Sequence, residues 1–93
     1  MEITFQYTGQ LANVVGASEE TVELGDDPTL KPAIDQLAQR HGESYANLVL
    51  DGAGNLRPSL LVVVDGEQAD GDRANLDLSG VKTIMLMTPI AGG

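Results

Sequence analysis

The sequence ends in two glycines, and this ending is the part of the chain best suited to chemistry. Glycine has no Cβ, so a Gly-Gly end can enter a narrow channel that any side chain would block. The five residues 89–93 can extend about 17 Å from a domain. We therefore expect a flexible tail that delivers the α-carboxylate of Gly93 into the active site of another protein. The residues expected to contact that partner are Pro89, Ile90, Ala91 and Gly92.

Other candidate sites are weak. His41 is the only histidine, and a lone histidine at the end of a helix is more often structural than catalytic. The "DGAGN" stretch lacks the lysine of a phosphate-binding loop, and "DGDRANLD" lacks the glycine and glutamate of a calcium loop. The serines lie in no recognisable catalytic motif. The chain has no cysteine, which excludes disulfides, zinc thiolate sites and a cysteine nucleophile. Since every other candidate is weak as well, we expect no metal site and no self-contained active site.

The composition limits the class of partner. A chain of 93 residues with net charge −9 predicts a single acidic domain. Its five scattered basic residues argue against binding nucleic acid, and the charge favours a protein partner with a basic patch. The charge could equally serve solubility alone or reflect a saline habitat. The absence of a signal peptide, of a membrane span and of cysteine favours the cytoplasm.

The first half of the chain predicts two strands and one helix. Residues 2–7 (EITFQY) and 20–24 (ETVEL) alternate as strands do, and "LANVVG" is interpreted as a short apolar connection between them in a hairpin. Residues 30–41 carry apolar side chains at helical spacing. Asp27 or Thr29 could cap this helix, Pro32 lies in its first turn, and Gly42 ends it.

The second half predicts further strands. "YANLVL" could be a single turn or a poor strand. "SLLVVV" is a continuous apolar run, which indicates a central strand buried on both faces. Asp65 and Gly66 predict a tight turn into a short edge strand, "EQA". Residues 82–88 (KTIMLMT) form the last predicted strand.

Alternation in the last strand divides its side chains between two faces. Ile84 and Leu86 share one face, and Met85 and Met87 share the other with Thr83. The methionines could form an adaptable surface for a partner or could close a hydrophobic core. Met87 lies nearer the tail and is the better candidate for a partner contact.

The order of elements predicts an α+β fold. One main helix would pack on one face of a mixed sheet of four to five strands. No repeat or low-complexity segment interrupts this pattern.

The ending "MLMTPIAGG", placed after a strand, resembles the C-terminus of the MoaD/ThiS ubiquitin-like sulfur carriers. The stretch "FQYTGQLANVVGASEETVEL" resembles the N-terminal hairpin of the same family. The resemblance covers nearly the whole chain and implies a ubiquitin-like β-grasp domain over residues 1–88, followed by the diglycine tail at 89–93.

The resemblance also implies a mechanism. A MoeB/ThiF-like activating enzyme would use ATP to adenylate Gly93, and a sulfur donor would convert the adenylate to a thiocarboxylate. The sulfur would then pass to an accepting enzyme such as the molybdopterin synthase large subunit, in molybdenum cofactor biosynthesis. The chain itself would bind no cofactor, because the ATP is used by the activating partner.

The receiving pathway stays open at this point. "LRPSLLVVVDGE" resembles carriers that serve cysteine synthesis and a ubiquitin-related modifier that thiolates transfer RNA, and thiamine synthesis is a further alternative. The same tail would also serve a protein modifier joined to target lysines through Gly93. In a third alternative, the domain is a β-grasp interaction module whose diglycine has no role.

Overall fold

A computed structural model describes residues 1–88. The expectations placed on residues 89–93, namely a flexible tail and its partner contacts, lie outside the described residues. The elements in chain order are β1 (Glu2–Tyr7), α1 (Gly9–Val15), β2 (Glu19–Glu23), α2 (Leu30–His41), α3 (Glu43–Val49), β3 (Leu61–Val64), β4 (Glu67–Gln68), a 3₁₀ turn (Arg73–Asn75) and β5 (Thr83–Met87).

The strands form one mixed sheet in the order β2-β1-β5-β3-β4. β1 and β5 are parallel at its centre, and every other pair is antiparallel. Because β1 and β5 run in the same direction, their C-terminal ends lie at the same end of the sheet. The predicted α+β fold with a sheet of up to five strands is confirmed.

The core lies between one face of the sheet, here called the inner face, and the helices. Alternate residues of the strands point inward, so their side chains and the apolar sides of the helices form one cluster. Its largest members with almost no exposed surface are Tyr45, Phe5, Ile3, Leu11, Leu30, Ile34, Leu37, Leu60, Leu78, Ile84 and Leu86. Ile84 and Leu86 share one face of the last strand, as predicted, and that face is the inner one.

Two short helices replace segments that the sequence did not predict as helical. The predicted connection between β1 and β2 is helix α1, and the first five residues of "YANLVL" belong to helix α3 rather than to a single turn or a strand. Helix α1 buries Leu11, and helix α3 buries Tyr45 and Val49. The single predicted helix, α2, is therefore the longest of three.

Helix α2 has the bounds that the apolar spacing predicts. It begins after Thr29, whose side chain makes no capping hydrogen bond, and ends before Gly42. Gly42 has φ +87°, a backbone conformation that glycine adopts without strain. The next helix starts immediately, so this one glycine separates α2 from α3.

Strand β3 differs from its prediction. It lies between β5 and β4 rather than at the centre of the sheet, and only its inner face is buried. Val62 points into the core, while Leu61 points to the opposite face and is 43% exposed. The continuous apolar run of β3 therefore does not indicate a strand that is buried on both faces.

The turn between β3 and β4 holds the start of β5. Asp65 and Gly66 both have positive φ, +47° and +89°, as the predicted tight hairpin turn requires. The Asp65 carboxylate accepts the backbone N–H groups of Lys82 (3.1 Å) and Thr83 (2.9 Å). These backbone hydrogen bonds hold the pKa of the Asp65 carboxyl below its usual value.

Candidate functional site

The face of the sheet opposite the helices, here called the outer face, carries an apolar patch. Cross-strand pairing places Leu61 beside Met87 and Val63 beside Met85. We call these four residues the outer patch. Leu61 is exposed, and the other three side chains are half-buried. Four apolar side chains packed side by side, outside the core cluster, are typical of a surface that contacts another protein.

The outer patch reaches the end of β5, where the described residues stop at Thr88. The predicted partner contacts Met85 and Met87 therefore lie on the surface of the sheet and not in the core. Leu61 and Val63 were not predicted as contacts, because the continuous apolar run of β3 indicated burial on both faces. Their signal was present in the sequence, since they alternate with the core residue Val62.

Polar residues border the outer patch along the sheet. Gln6 on β1 lies beside Met85 on β5, and Glu19 on β2 lies beside Gln6. On the opposite side Gln68 of β4 lies beside Val63. The outer face therefore changes from apolar on β5 and β3 to polar and acidic on β2. An apolar centre with an acidic border fits a partner whose own apolar surface has basic residues at its edge.

The basic side chains do little to offset this acidity. Within residues 1–88, four of the five basic side chains bond to other parts of the domain. Lys31 binds Asp35, and Arg40 binds Glu20. Arg57 donates to the carbonyl of Asn47, and Arg73 donates to the carbonyls of Leu60 and Arg57. Most of the excess carboxylates therefore remain available to attract a basic partner at long range.

A polar cluster lies on the inner side of the sheet, at the end where β1 finishes. Oε2 of Glu20 accepts hydrogen bonds from the Tyr7 hydroxyl and from Nε2 of His41, both at 2.7 Å. Oε1 accepts from Arg40 at 3.1 Å. The Tyr45 hydroxyl donates to the Tyr7 hydroxyl at 3.1 Å. The Glu20 carboxylate of β2 thus connects β1 and α2, and the Tyr7 hydroxyl extends the cluster to α3.

The cluster sets the ionisation of its members. Burial alone raises the pKa of the Glu20 carboxyl, but the donors Tyr7 and His41, together with Arg40, outweigh burial and hold that pKa below its usual value. Burial is the main cause that raises the pKa of the Tyr7 and Tyr45 hydroxyls, so both stay protonated. The cluster accordingly joins elements of the fold, in agreement with the structural interpretation of His41.

The described residues carry no other chemistry that points to a site. Within residues 1–88 no three ligand side chains are grouped so that they could hold a metal ion. None of the helices in this part of the chain has the length and apolar character needed to cross a bilayer. The predicted residues Gly93, Gly92, Ala91, Ile90 and Pro89 lie outside the described residues, so their predicted roles stay predictions.

The fold is that of a ubiquitin-like β-grasp protein, and its sequence after β5 ends in two glycines. The model of the ThiS family matches residues 5–93, which includes both glycines. The chain belongs to the ThiS family.

Solved structures agree with this assignment. The crystal structure of SAMP1 from Haloferax volcanii is 25% identical, with a TM-score of 0.82 and full coverage of both chains. Urm1 from Trypanosoma brucei is 23% identical, with a TM-score of 0.74 over 99% of this chain and 95% of its own. A putative molybdopterin converting factor subunit 1 from Pyrococcus furiosus is 18% identical, with a TM-score of 0.68 over 97% of this chain and 99% of its own. The last two likenesses show the fold alone. A search of the curated proteins gives no match.

Proposed function

We propose that this protein carries sulfur as a thiocarboxylate on Gly93. The observation that carries the proposal is the family match, which runs through the domain to the two final glycines. The position of the outer patch supports it, because the patch ends where the chain continues from β5 toward those glycines.

The proposed chemistry needs a partner because a carboxylate is a poor electrophile. In an activating enzyme, the Gly93 carboxylate attacks the α-phosphate of ATP, and pyrophosphate leaves. A sulfur donor, such as an enzyme persulfide, then attacks the acyl carbon and displaces AMP. Reductive cleavage of the resulting acyl disulfide by a thiol leaves the thiocarboxylate. The chain has no cysteine, so both the sulfur and the reducing thiol come from other molecules.

The domain's contribution to this reaction is docking. The exposed part of Leu61 and the half-buried side chains around it would become covered against the activating enzyme. Burying apolar surface is worth roughly 25 cal/mol per Å², so covering the outer patch would contribute a few kcal/mol. Glycines at 92 and 93 would let the carboxylate approach the nucleotide through a channel too narrow for side chains.

The test is intact-protein mass spectrometry after incubation with ATP, a persulfide donor and a MoeB/ThiF-like enzyme. We expect the mass change of sulfur for oxygen, located at Gly93 and lost when Gly93 is deleted. Leu61→Gln should raise the KM for this protein in the reaction. Thr21→Gln is the matched control, because Thr21 lies on the outer face but on β2, away from the outer patch. Equal KM values for the two variants would contradict docking through the outer patch.

For the receiving pathway, we propose the role of molybdopterin synthase small subunit. The likeness to the Pyrococcus furiosus protein is a likeness of fold, so the acceptor has to be tested directly. The thiocarboxylate form should transfer its sulfur when mixed with a molybdopterin synthase large subunit and its precursor. Transfer instead to acceptors of cysteine synthesis, thiamine synthesis or transfer RNA thiolation would assign the carrier to that pathway.

A second candidate function is protein modification through Gly93. The likeness to SAMP1, named a small archaeal modifier protein, favours it, because that likeness covers the full length of both chains at 25% identity. Adducts of higher mass that survive thiols and reductants would support an isopeptide bond to lysines. Adducts that disappear under these conditions would leave only the carrier function.

A further inference from the structure

The primary amines of this chain differ in their availability. The Nζ atom of Lys31 lies 2.8 and 2.9 Å from the two carboxylate oxygens of Asp35, and its side chain is only 25% exposed. The Met1 amino group donates to Glu23 Oε1 and to the Leu24 carbonyl, both at 3.1 Å. Both amines are therefore held against acceptors in the folded domain.

Lys82 is different. Its residue is exposed, and no hydrogen bond or ion pair links its ammonium group to any residue from 1 to 88. The backbone beneath it is fixed, because its own N–H and that of Thr83 both donate to Asp65 in the β3–β4 turn. The exposed side chain thus starts from a well-held position, and its charge adds to these backbone hydrogen bonds in lowering the pKa of the Asp65 carboxyl, without an ion pair between the two groups. An acyl group approaching from another protein can reach this amine without breaking a contact of the fold.

The position of Lys82 in the sheet separates it from the rest of the proposed site. It directly precedes β5, whereas the outer patch lies at the middle of that strand, at Met85, and at its far end, at Met87. Five residues of strand span about 17 Å, so a protein attached at Lys82 would leave the far end of β5 uncovered. The accepting copy could therefore still be activated itself.

We infer that Lys82 is the site at which a second copy of this chain becomes attached through an isopeptide bond. The inference rests on the proposed activation of Gly93. The deprotonated Lys82 amine of one copy attacks the acyl carbon of the Gly93 adenylate on another. A C–N bond forms at the acyl carbon, the bond from that carbon to AMP breaks, and AMP leaves. The nitrogen then gives one proton to water. The copy that contributed Gly93 keeps its own Lys82, and the copy that contributed Lys82 keeps its own Gly93, so the product can grow at either end.

The experiment compares three proteins in the activation mixture without a sulfur donor: wild type, Lys82→Arg and Lys31→Arg. Arginine keeps the positive charge but does not form this bond under these conditions. After treatment with a thiol reductant, intact mass spectrometry measures products equal to two or more chains less one water per bond. Peptide mapping then locates the branch. Pyrophosphate release is followed in the same samples as the readout for activation of Gly93.

We expect wild type and Lys31→Arg to form the same series of products, with the branch at Lys82. Lys82→Arg should lose the series and still release pyrophosphate. Products retained in Lys82→Arg, or pyrophosphate release without products in wild type, would overturn the inference and leave the carrier function standing. Absence of pyrophosphate release from every variant would overturn the proposed activation and this inference with it.

Discussion

Replacing Glu20 by glutamine tests whether the inner polar cluster stabilises the fold. The substitution keeps the side chain's size and removes its charge. In the best arrangement, the new amide oxygen still accepts from Tyr7 and His41, but as a neutral acceptor. The amide nitrogen then faces Arg40, which is itself a donor.

The expected loss follows from these contacts. Hydrogen bonds to a charged group contribute about 1 kcal/mol more than neutral ones, so the two short bonds together lose about 2 kcal/mol. The Arg40 side chain is 48% exposed, so its ion pair adds at most about 1 kcal/mol. We expect Glu20→Gln to lower the free energy of unfolding by about 2–3 kcal/mol at pH 7. For a domain of this size that lowers Tm by roughly 10–20 °C.

Urea unfolding followed by circular dichroism measures this difference. Glu19→Gln is the matched control, because Glu19 is the exposed neighbour of Glu20 on the same strand. Its effect should stay within about 0.5 kcal/mol. A value that small for Glu20→Gln as well would refute the reasoning, because the cluster would then contribute nothing beyond a neutral hydrogen bond.

The same pair of proteins should respond differently to acid. The pKa of Glu20 is lower in the folded protein than in the unfolded chain, so its stabilisation is fully present above the unfolded value of about 4.3. It is lost as the pH falls through the folded value. The advantage of wild type over Glu20→Gln should therefore be constant near neutrality and shrink below about pH 4. An advantage that persists undiminished at pH 2 would contradict the assignment.

Two further predictions concern the turn and the surface charge. Gly66→Ala should cost about 1–2 kcal/mol of stability from backbone strain alone, since φ is +89° and an added Cβ meets nothing within 4 Å. Gly25→Ala, with equally open space and no positive φ, is the control, and equal effects in urea unfolding would contradict the strain argument. Raising NaCl from 0.1 to 1 M shortens the screening length from about 10 to about 3 Å, and should raise Tm because the net charge is −9. A Tm that stays constant or falls would show that self-repulsion does not limit stability.

Alternation and turn chemistry made much of the sheet predictable. β1, β5 and the turn at Asp65 and Gly66 were recovered because strand periodicity and left-handed turn residues are local signals. Helix α2 was recovered because twelve residues are enough to display helical spacing. The two seven-residue helices were missed because a sequence pattern this short does not distinguish a helix from a loop, a turn or a strand.

The candidate site was only partly predictable, and for a physical reason. Met85 and Met87 were placed on the correct face by alternation, but their neighbours Leu61 and Val63 were assigned to a doubly buried strand. A docking surface on a sheet is apolar although it faces solvent, so it imitates the pattern of a core strand. The links of Tyr7 and His41 to Glu20, and of Tyr45 to Tyr7, depend on long-range packing, which no local pattern reveals.

The central claim is that the domain presents Gly93 for activation and sulfur transfer. The most direct measurement is the intact mass of the wild-type protein and of a variant lacking Gly93, each incubated with ATP, a persulfide donor and an activating enzyme. The account predicts sulfur in place of one oxygen at Gly93 in wild type, and no change in a deletion variant that has the same Tm. An unchanged wild-type mass with an enzyme proven active on its own carrier would contradict the account. Equal sulfur gain in the deletion variant would contradict it as well.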